Sequence, residues 1–370
     1  MKIIEIQLDR LRLPLDPPFP AAWDPEPRTS FDATVVTVRT DDGLVGIGSG
    51  DTMDGFEPFI DLFIGQDPMS IAQHVKVLET LNFHSGRYWP MESALWDIIG
   101  KACNQPVATL LGGSSTEILA YASSGQLMAP SERVEAVLAF RSEGFRAVKI
   151  RLDRLRLDEG LQTIQAVRDA VGSTMEIMVD LNQAWRMPGD IAPALDLPAV
   201  RRLTVALQEL DVFWIEEPLP AVDSRGLLSL RHETGMRIAG GEMARTMAEL
   251  LEYLDTDSLD VFQPDVVLAV GMYRARAIAD LCYARNRWFT PHTWTNGLGL
   301  LANLHVCVGV GGGPYFEFPY DPPGWTPDRR DFLLEEPIRV GTDGKVRISS
   351  EPGLGAHLNP EAIERYRINR

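Results

Sequence analysis

Between Glu117 and Tyr320, short runs rich in β-branched residues alternate with amphipathic helical stretches. This alternation constrains the fold more than any other feature of the chain. The strand candidates are ILAYASS (118–124), AVKIRL (147–152), EIMVDLNQ (176–183) and VFWIEEP (212–218). They continue with RIAGGEM (237–243), LDVFQPD (259–265), RWFTPHTW (287–294) and YFEFPY (315–320). Helical patterns such as Asp158–Val171 and Gly271–Ala284 lie between them. Eight strands with seven helical connections predict an α/β fold, a (β/α)7β TIM-like barrel. The units differ in sequence, so the period is one of fold and not a solenoid repeat.

The first part of the chain reads differently. Met1–Leu13 and Ala33–Arg39 alternate apolar and polar residues, and Asp41-Asp42-Gly43 marks a hairpin before LVGIG. Asp16–Ser30 holds five prolines and is expected to be a loop. Its Trp23 and Phe19 fit either a lid or a surface loop packed on the domain. Helices are expected over 54–83 and 91–111, stopped by Gly112-Gly113. After Tyr320 come a turn-rich exit, a short strand candidate (KVRIS) and a helix at Pro360–Tyr366. The expected organisation is an N-terminal α+β capping domain (1–115), a barrel (116–322) and a tail (323–370) returning to the cap.

Polar residues recur at the strand ends. They are Lys149 and Arg151, Asp180 and Asn182, Glu216, Glu242, Asp265, His292 and Glu317. From Lys149 through Asp180, Glu216, Glu242, Asp265 and His292 to Glu317, the gaps are 31, 36, 26, 23, 27 and 25 residues, one βα unit each. In such barrels the C-terminal strand ends carry the chemistry. A single acidic residue there is ordinarily a helix cap. A whole ring of ionisable groups inside apolar strands is not, because buried carboxylates cost several kcal/mol each unless a cation compensates. Asp180, Glu216 and Glu242 offer the hard oxygens that Mg²⁺ prefers, with no Cys or His among them. Asn182 is an additional ligand or a capping residue. Glu217 should point away from Glu216. Asp265 and His292 suit a dyad in which the carboxylate holds the imidazole as a base near neutral pH. Lys149 and Arg151 face inward together. Metal, cations and base are together the equipment for removing a proton α to a carboxylate.

Composition excludes other classes. The 370 residues carry 35 Lys plus Arg against 52 Asp plus Glu, a net charge of −17, with no basic run. Nucleic acid and anionic membrane are poor partners for such a chain. The three cysteines form no CxxC pair, so neither a disulfide scaffold nor a zinc knuckle is expected. The opening MKIIEIQLDRLRL has no apolar leader core, and no stretch reaches the length of a membrane span. A cytoplasmic homo-oligomer acting on a small molecule is expected. GLVGIGSG (43–50) follows a hairpin, so a dinucleotide site is not expected there, and GVGGGP (309–314) reads as a turn.

AVKIRL, VDLNQAW, WIEEPL, GGEM, QPD, PHTW and EFPYDPP run in order over 117–320. In these pieces the chain resembles the enolase superfamily, in its mandelate racemase and muconate lactonizing enzyme branch, mandelate racemase subgroup. The N-terminal part and the PGLG-containing tail look like that family's capping domain. The resemblance implies Mg²⁺ on Asp180, Glu216 and Glu242, and His292 with Asp265 as general base or acid. It implies that Glu317, protonated, donates to an enediolate, and that Lys149 contacts the carboxylate of a small-molecule acid. Trp23 and the segment Gly48–Glu57 would choose the substrate. One departure bears on the reaction. The subgroup's Lys-x-Lys is Lys149-Ile150-Arg151 here, and arginine is a poor base. A single histidine base suits dehydration of an acid sugar to a 2-keto-3-deoxy acid, a lyase reaction. The alternatives are a racemase or epimerase of an α-substituted acid, an isomerase, and a catalytically inactive ligand-binding barrel.

Overall fold

A computed structural model describes residues 1–50 and 53–368. The N-terminal domain opens with an antiparallel sheet of β1 (Ile3–Phe19), β2 (Arg28–Thr40) and β3 (Val45–Gly50), in that order. The segment expected as a loop is strand up to Phe19 and strand again from Arg28. β1 lies at the sheet edge, where residues lacking an N–H are tolerated, and its ladder skips from Pro14 to Phe19. Only the turn carrying Trp23 stays irregular. The helix expected over 54–83 starts as a short 3-10 turn and becomes α-helical only at α1 (Ile71–His84). The one expected over 91–111 is two, α2 (Trp89–Ala102) and α3 (Val107–Leu111), because Pro106 interrupts it.

The glycines of β3 have a packing reason. A Cβ at Gly46 would overlap the Ala94 carbonyl, and one at Gly48 the Pro90 carbonyl. The strand backbone therefore lies directly against α2, as a hairpin strand and not a phosphate loop.

The barrel strands are β4 (Glu117–Ser123), β5 (Ala147–Arg151), β6 (Glu176–Asp180), β7 (Val212–Glu216), β8 (Ile238–Gly240), β9 (Val261–Phe262), β10 (Trp288–Phe289) and β11 (Phe316–Pro319). All pair in parallel, in the order β10-β9-β8-β7-β6-β5-β4-β11. The helices between them are α4 (Pro130–Ser142), α5 (Leu157–Val171), α6 (Leu197–Glu209), α7 (Ser224–Thr234), α8 (Met247–Asp255), α9 (Gly271–Ala284) and α10 (Gly297–Val310). Their apolar faces and the outward side chains of the strands form the main core. Among the described residues no ladder joins β10 to β11, and the sheet curls into the expected TIM-like barrel. Other bonds bridge the seam. Gly313 N donates to Phe289 O at 3.0 Å. Thr290 Oγ1 donates to Tyr315 O at 2.6 Å, and Thr293 Oγ1 to Glu317 O at 2.8 Å.

The tail continues through α11 (Pro327–Arg330), β12 (Lys345–Arg347) and α12 (Pro360–Tyr366). Beyond α12, Ile368 N donates to Arg10 O at 2.9 Å, which returns the chain to β1. β12, by contrast, pairs antiparallel with β4 and braces the barrel. Asp97 of α2 joins three parts, accepting from Ile47 N at 2.9 Å and from Leu354 N at 2.8 Å. Among the described residues no helix is long and apolar enough to cross a membrane.

His305 of α10 is a second junction. Its Nδ1 accepts from Ala108 N at 3.1 Å, and its Nε2 donates to Leu354 O at 3.1 Å. Burial pushes its pKa down to about 4, so the folded protein holds it neutral. The unfolded chain binds a proton there below about pH 6.5. This contribution is complete above that pH and is lost as pH falls toward 4, about 3 kcal/mol in all. Urea unfolding between pH 7 and 4 should show the loss, and His305→Gln should flatten that part of the profile.

Candidate active site

Strand register builds the site. Asp180 and Glu216 end β6 and β7 and are paired neighbours, and Arg151 pairs with Asp180 from the other side. Glu242, Asp265 and His292 follow just after β8, β9 and β10, where the chain has turned into loops, and Glu317 lies within β11. All of them, with Lys149, are buried. One oxygen each from Asp180, Glu216 and Glu242 lie within 4.8 Å of one another.

The charges are closely paired. Lys149 Nζ sits 2.5 Å from Glu216 Oε1, 2.7 Å from Glu317 Oε1 and 3.3 Å from Asp180 Oδ2. Burial opposes its charge, but Glu216 and Glu317 outweigh burial and raise its pKa. Arg151 bonds to Asp180 Oδ2 through Nη1, to Asn182 Oδ1 at 2.9 Å and to Ser124 O at 3.1 Å. Asn182 adopts a positive φ of 45°, and its N–H donates to Asp180 Oδ1 at 2.8 Å. It therefore fixes the aspartate from the loop.

These residues fit a magnesium ion. Burial raises the Glu216 pKa well above the usual range; Lys149 opposes this, and Asp180, Glu317 and Glu242 add to it. Glu242 Oε2 is buried with no hydrogen-bond partner, while Oε1 accepts from Trp185 Nε1 at 2.7 Å. An orphaned oxygen among crowded carboxylates is the donor set a hard divalent cation satisfies. Glu217, as expected, lies outside this cluster.

His292 Nδ1 and Asp265 Oδ2 are 2.9 Å apart. Nε2 faces Glu242 Oε2 at 3.5 Å and Glu317 Oε2 at 4.0 Å. Burial lowers the imidazole pKa, but Glu242, Glu317 and Asp265 together push it up to about 10. Glu317 is pulled the other way. Burial would raise it, yet Lys149, His292 and Arg151 hold it down to about 2. Its Oε1 accepts from Ser123 Oγ at 2.7 Å and its Oε2 from Thr293 N at 2.8 Å.

Trp23 reaches the site from the N-terminal domain. Its ring lies 4.7 Å from the Arg151 guanidinium and 4.7 Å, edge-on, from Trp294. The segment Gly48–Glu57, expected to help choose the substrate, includes Asp51 and Thr52, which lie outside the described residues.

Several partners escaped the sequence reading. Gln263 Nε2 donates to Glu216 Oε2 at 2.9 Å, and Trp294 Nε1 to Ser123 Oγ at 2.8 Å. Asn303 Nδ2 donates to Asp265 Oδ1 at 3.1 Å. Trp185, Gln263, Thr293 and Trp294 lie within the quoted motifs, beside residues that were singled out. Asn303 sits inside α10, where no strand-end signal marks it.

A two-domain chain with acidic residues on successive barrel strands and a His–Asp pair opposite defines a class, and comparison with known proteins gives the family. Residues 14–112 match the mandelate racemase / muconate lactonizing enzyme N-terminal domain, and residues 132–362 the enolase C-terminal domain-like family. The chain belongs to the enolase superfamily, in its mandelate racemase and muconate lactonizing enzyme branch. It is 28% identical over 280 residues to an arabinonate dehydratase of Saccharolobus solfataricus, covering 75% of this chain and 71% of that one. It is 27% identical over 390 residues to a D-galactarolactone cycloisomerase of Agrobacterium fabrum, covering 100% and 99%. A racemase from Streptomyces coelicolor A3(2) with bound magnesium superposes with a TM-score of 0.84 at 25% identity, covering 99% and 100%.

Proposed function

We propose that the protein is a Mg²⁺-dependent lyase that dehydrates a polyhydroxy acid to a 2-keto-3-deoxy acid. The observation that carries this reading is the engagement of Arg151, whose guanidinium is tied to Asp180, Asn182 and Ser124. Arginine stays protonated at any working pH, and Lys149 is held charged among carboxylates. Among the described residues of the ring, His292 is then left to move the proton.

Asp180, Glu216 and Glu242 would hold the ion. Bound there, Mg²⁺ supplies positive charge against the negative charge that develops on the substrate carboxylate. Lys149 and Arg151 add fixed positive charge on one side. Asp265 holds Nδ1, which leaves His292 Nε2 to take the α-proton. Glu242 exerts the largest upward pull on the imidazole, so neutralising that carboxylate returns His292 toward the range of a base. The protonated imidazole then gives its proton to the leaving β-hydroxyl. Water departs, an enol forms between C2 and C3, and tautomerisation places a solvent hydrogen on C3. Asn182 and Trp23 would bound the substrate, with 1–115 as capping domain, 116–322 as barrel and 323–370 as returning tail.

The arabinonate dehydratase likeness supports the dehydratase reading. The test is a screen of acid sugars with Mg²⁺ in D₂O, followed by NMR. A 2-keto product carrying deuterium at C3 is expected. Clean inversion at C2 with no keto product would replace this reading with a racemase.

A further inference from the structure

The surroundings of Arg151 assign Trp23 a role beyond bounding a substrate. The guanidinium has the Trp23 ring at 4.7 Å and the Trp294 ring at 5.7 Å. The two indoles meet edge to face. Trp294 comes from the loop after β10 and is fixed by its bond to Ser123. Trp23 comes from the other domain, on the turn between β1 and β2. That turn is itself held, by the Arg28–Asp24 ion pair and by Ala22 N donating to Gly125 O at 2.8 Å.

We infer that Trp23 is a positioning residue for Arg151. With Trp294 it clamps the guanidinium in the one orientation that reaches Asp180, Asn182 and Ser124 O at once. A planar cation against aromatic faces is held by the ring quadrupoles, and its N–H groups remain free to donate in plane. An unclamped arginine has many rotamers, and few of them satisfy three acceptors on two separate segments, the end of β6 with its following loop and the residue after β4. Seating the turn of the N-terminal domain is then a condition for orienting Asp180. The step from Arg151 to the metal rests on the reading of Asp180 as a ligand; the clamp itself does not.

The experiment is NMR of the arginine Nε–H groups in the full-length protein. The Arg151 signal is assigned by its disappearance in Arg151→Lys. In the wild type it should be displaced by the indole rings and slow to exchange with water. Trp23→Leu, which keeps apolar bulk without an aromatic face, should remove the displacement and speed exchange at least tenfold. Trp23→Phe should retain most of both. An Arg151 signal absent in the wild type, or unchanged in Trp23→Leu, would overturn the clamp, as would Leu serving as well as Phe. Mn²⁺ is then added to the wild type. Broadening of the Arg151 signal is expected from an ion on Asp180. A clamp that responds to Trp23 but not to Mn²⁺ would leave the positioning role standing and reject the metal assignment.

Discussion

Glu216→Gln should lose Mg²⁺ affinity by on the order of 100-fold or more while the protein stays folded. Both halves of this expectation come from the same crowding. Glu216 is the central member of the carboxylate cluster, paired with Asp180 along the sheet and pushed toward its neutral form by burial and by its acidic neighbours. Replacing it removes a ligand and also relieves repulsion. Lys149 keeps Glu317 at 2.7 Å and Asp180 at 3.3 Å, so the variant does not strand a buried ammonium. Titration calorimetry with Mg²⁺ and thermal unfolding read the two effects separately. Undiminished affinity in a folded variant would remove Glu216 from the ion site.

The second large effect is at His292. His292→Asn should slow exchange of the substrate α-proton by ~10³-fold, within the span usual for loss of a general base. Asp265→Asn should cost less, because the imidazole survives but loses the carboxylate 2.9 Å from Nδ1. The measurement is deuterium incorporation with the acid found by the D₂O screen. Full exchange by His292→Asn would mean that another group takes the proton.

Much of this site was legible because a parallel barrel turns one-dimensional spacing into a ring. Lys149, Asp180, Glu216, Glu242, Asp265, His292 and Glu317 recur once per βα unit, and each repeat returns the chain to the same mouth. The pairing of the charged groups was not legible. Which carboxylates face Lys149 and His292 is set by ångström distances, and spacing does not encode them. Asn303 was invisible for a related reason, since it reaches Asp265 from inside a helix. The prolines of β1 misled because tolerance of a missing N–H depends on whether a strand is at an edge, and edge position is a property of the sheet. The helix break before Pro106 was written in the residues but was overridden by the apolar pattern running across it.

The unladdered seam between β10 and β11 has a consequence for the order in which the chain can mature. These are the last two barrel strands to be synthesised, and one carries Glu317 while the other leads into His292. A nascent chain that has emerged only as far as Glu242 already has its three clustered carboxylates, but neither the histidine nor β11, which closes the other side of β4. Asp321, which accepts from Gly125 N at 2.9 Å and from Arg133 Nη1 at 2.9 Å, arrives later still and locks that flank from beyond β11. Ile368 then ties the chain's end to β1. Chain order therefore withholds the proton-transfer groups until the last two barrel strands have emerged, and the bonds that lock them in come afterwards.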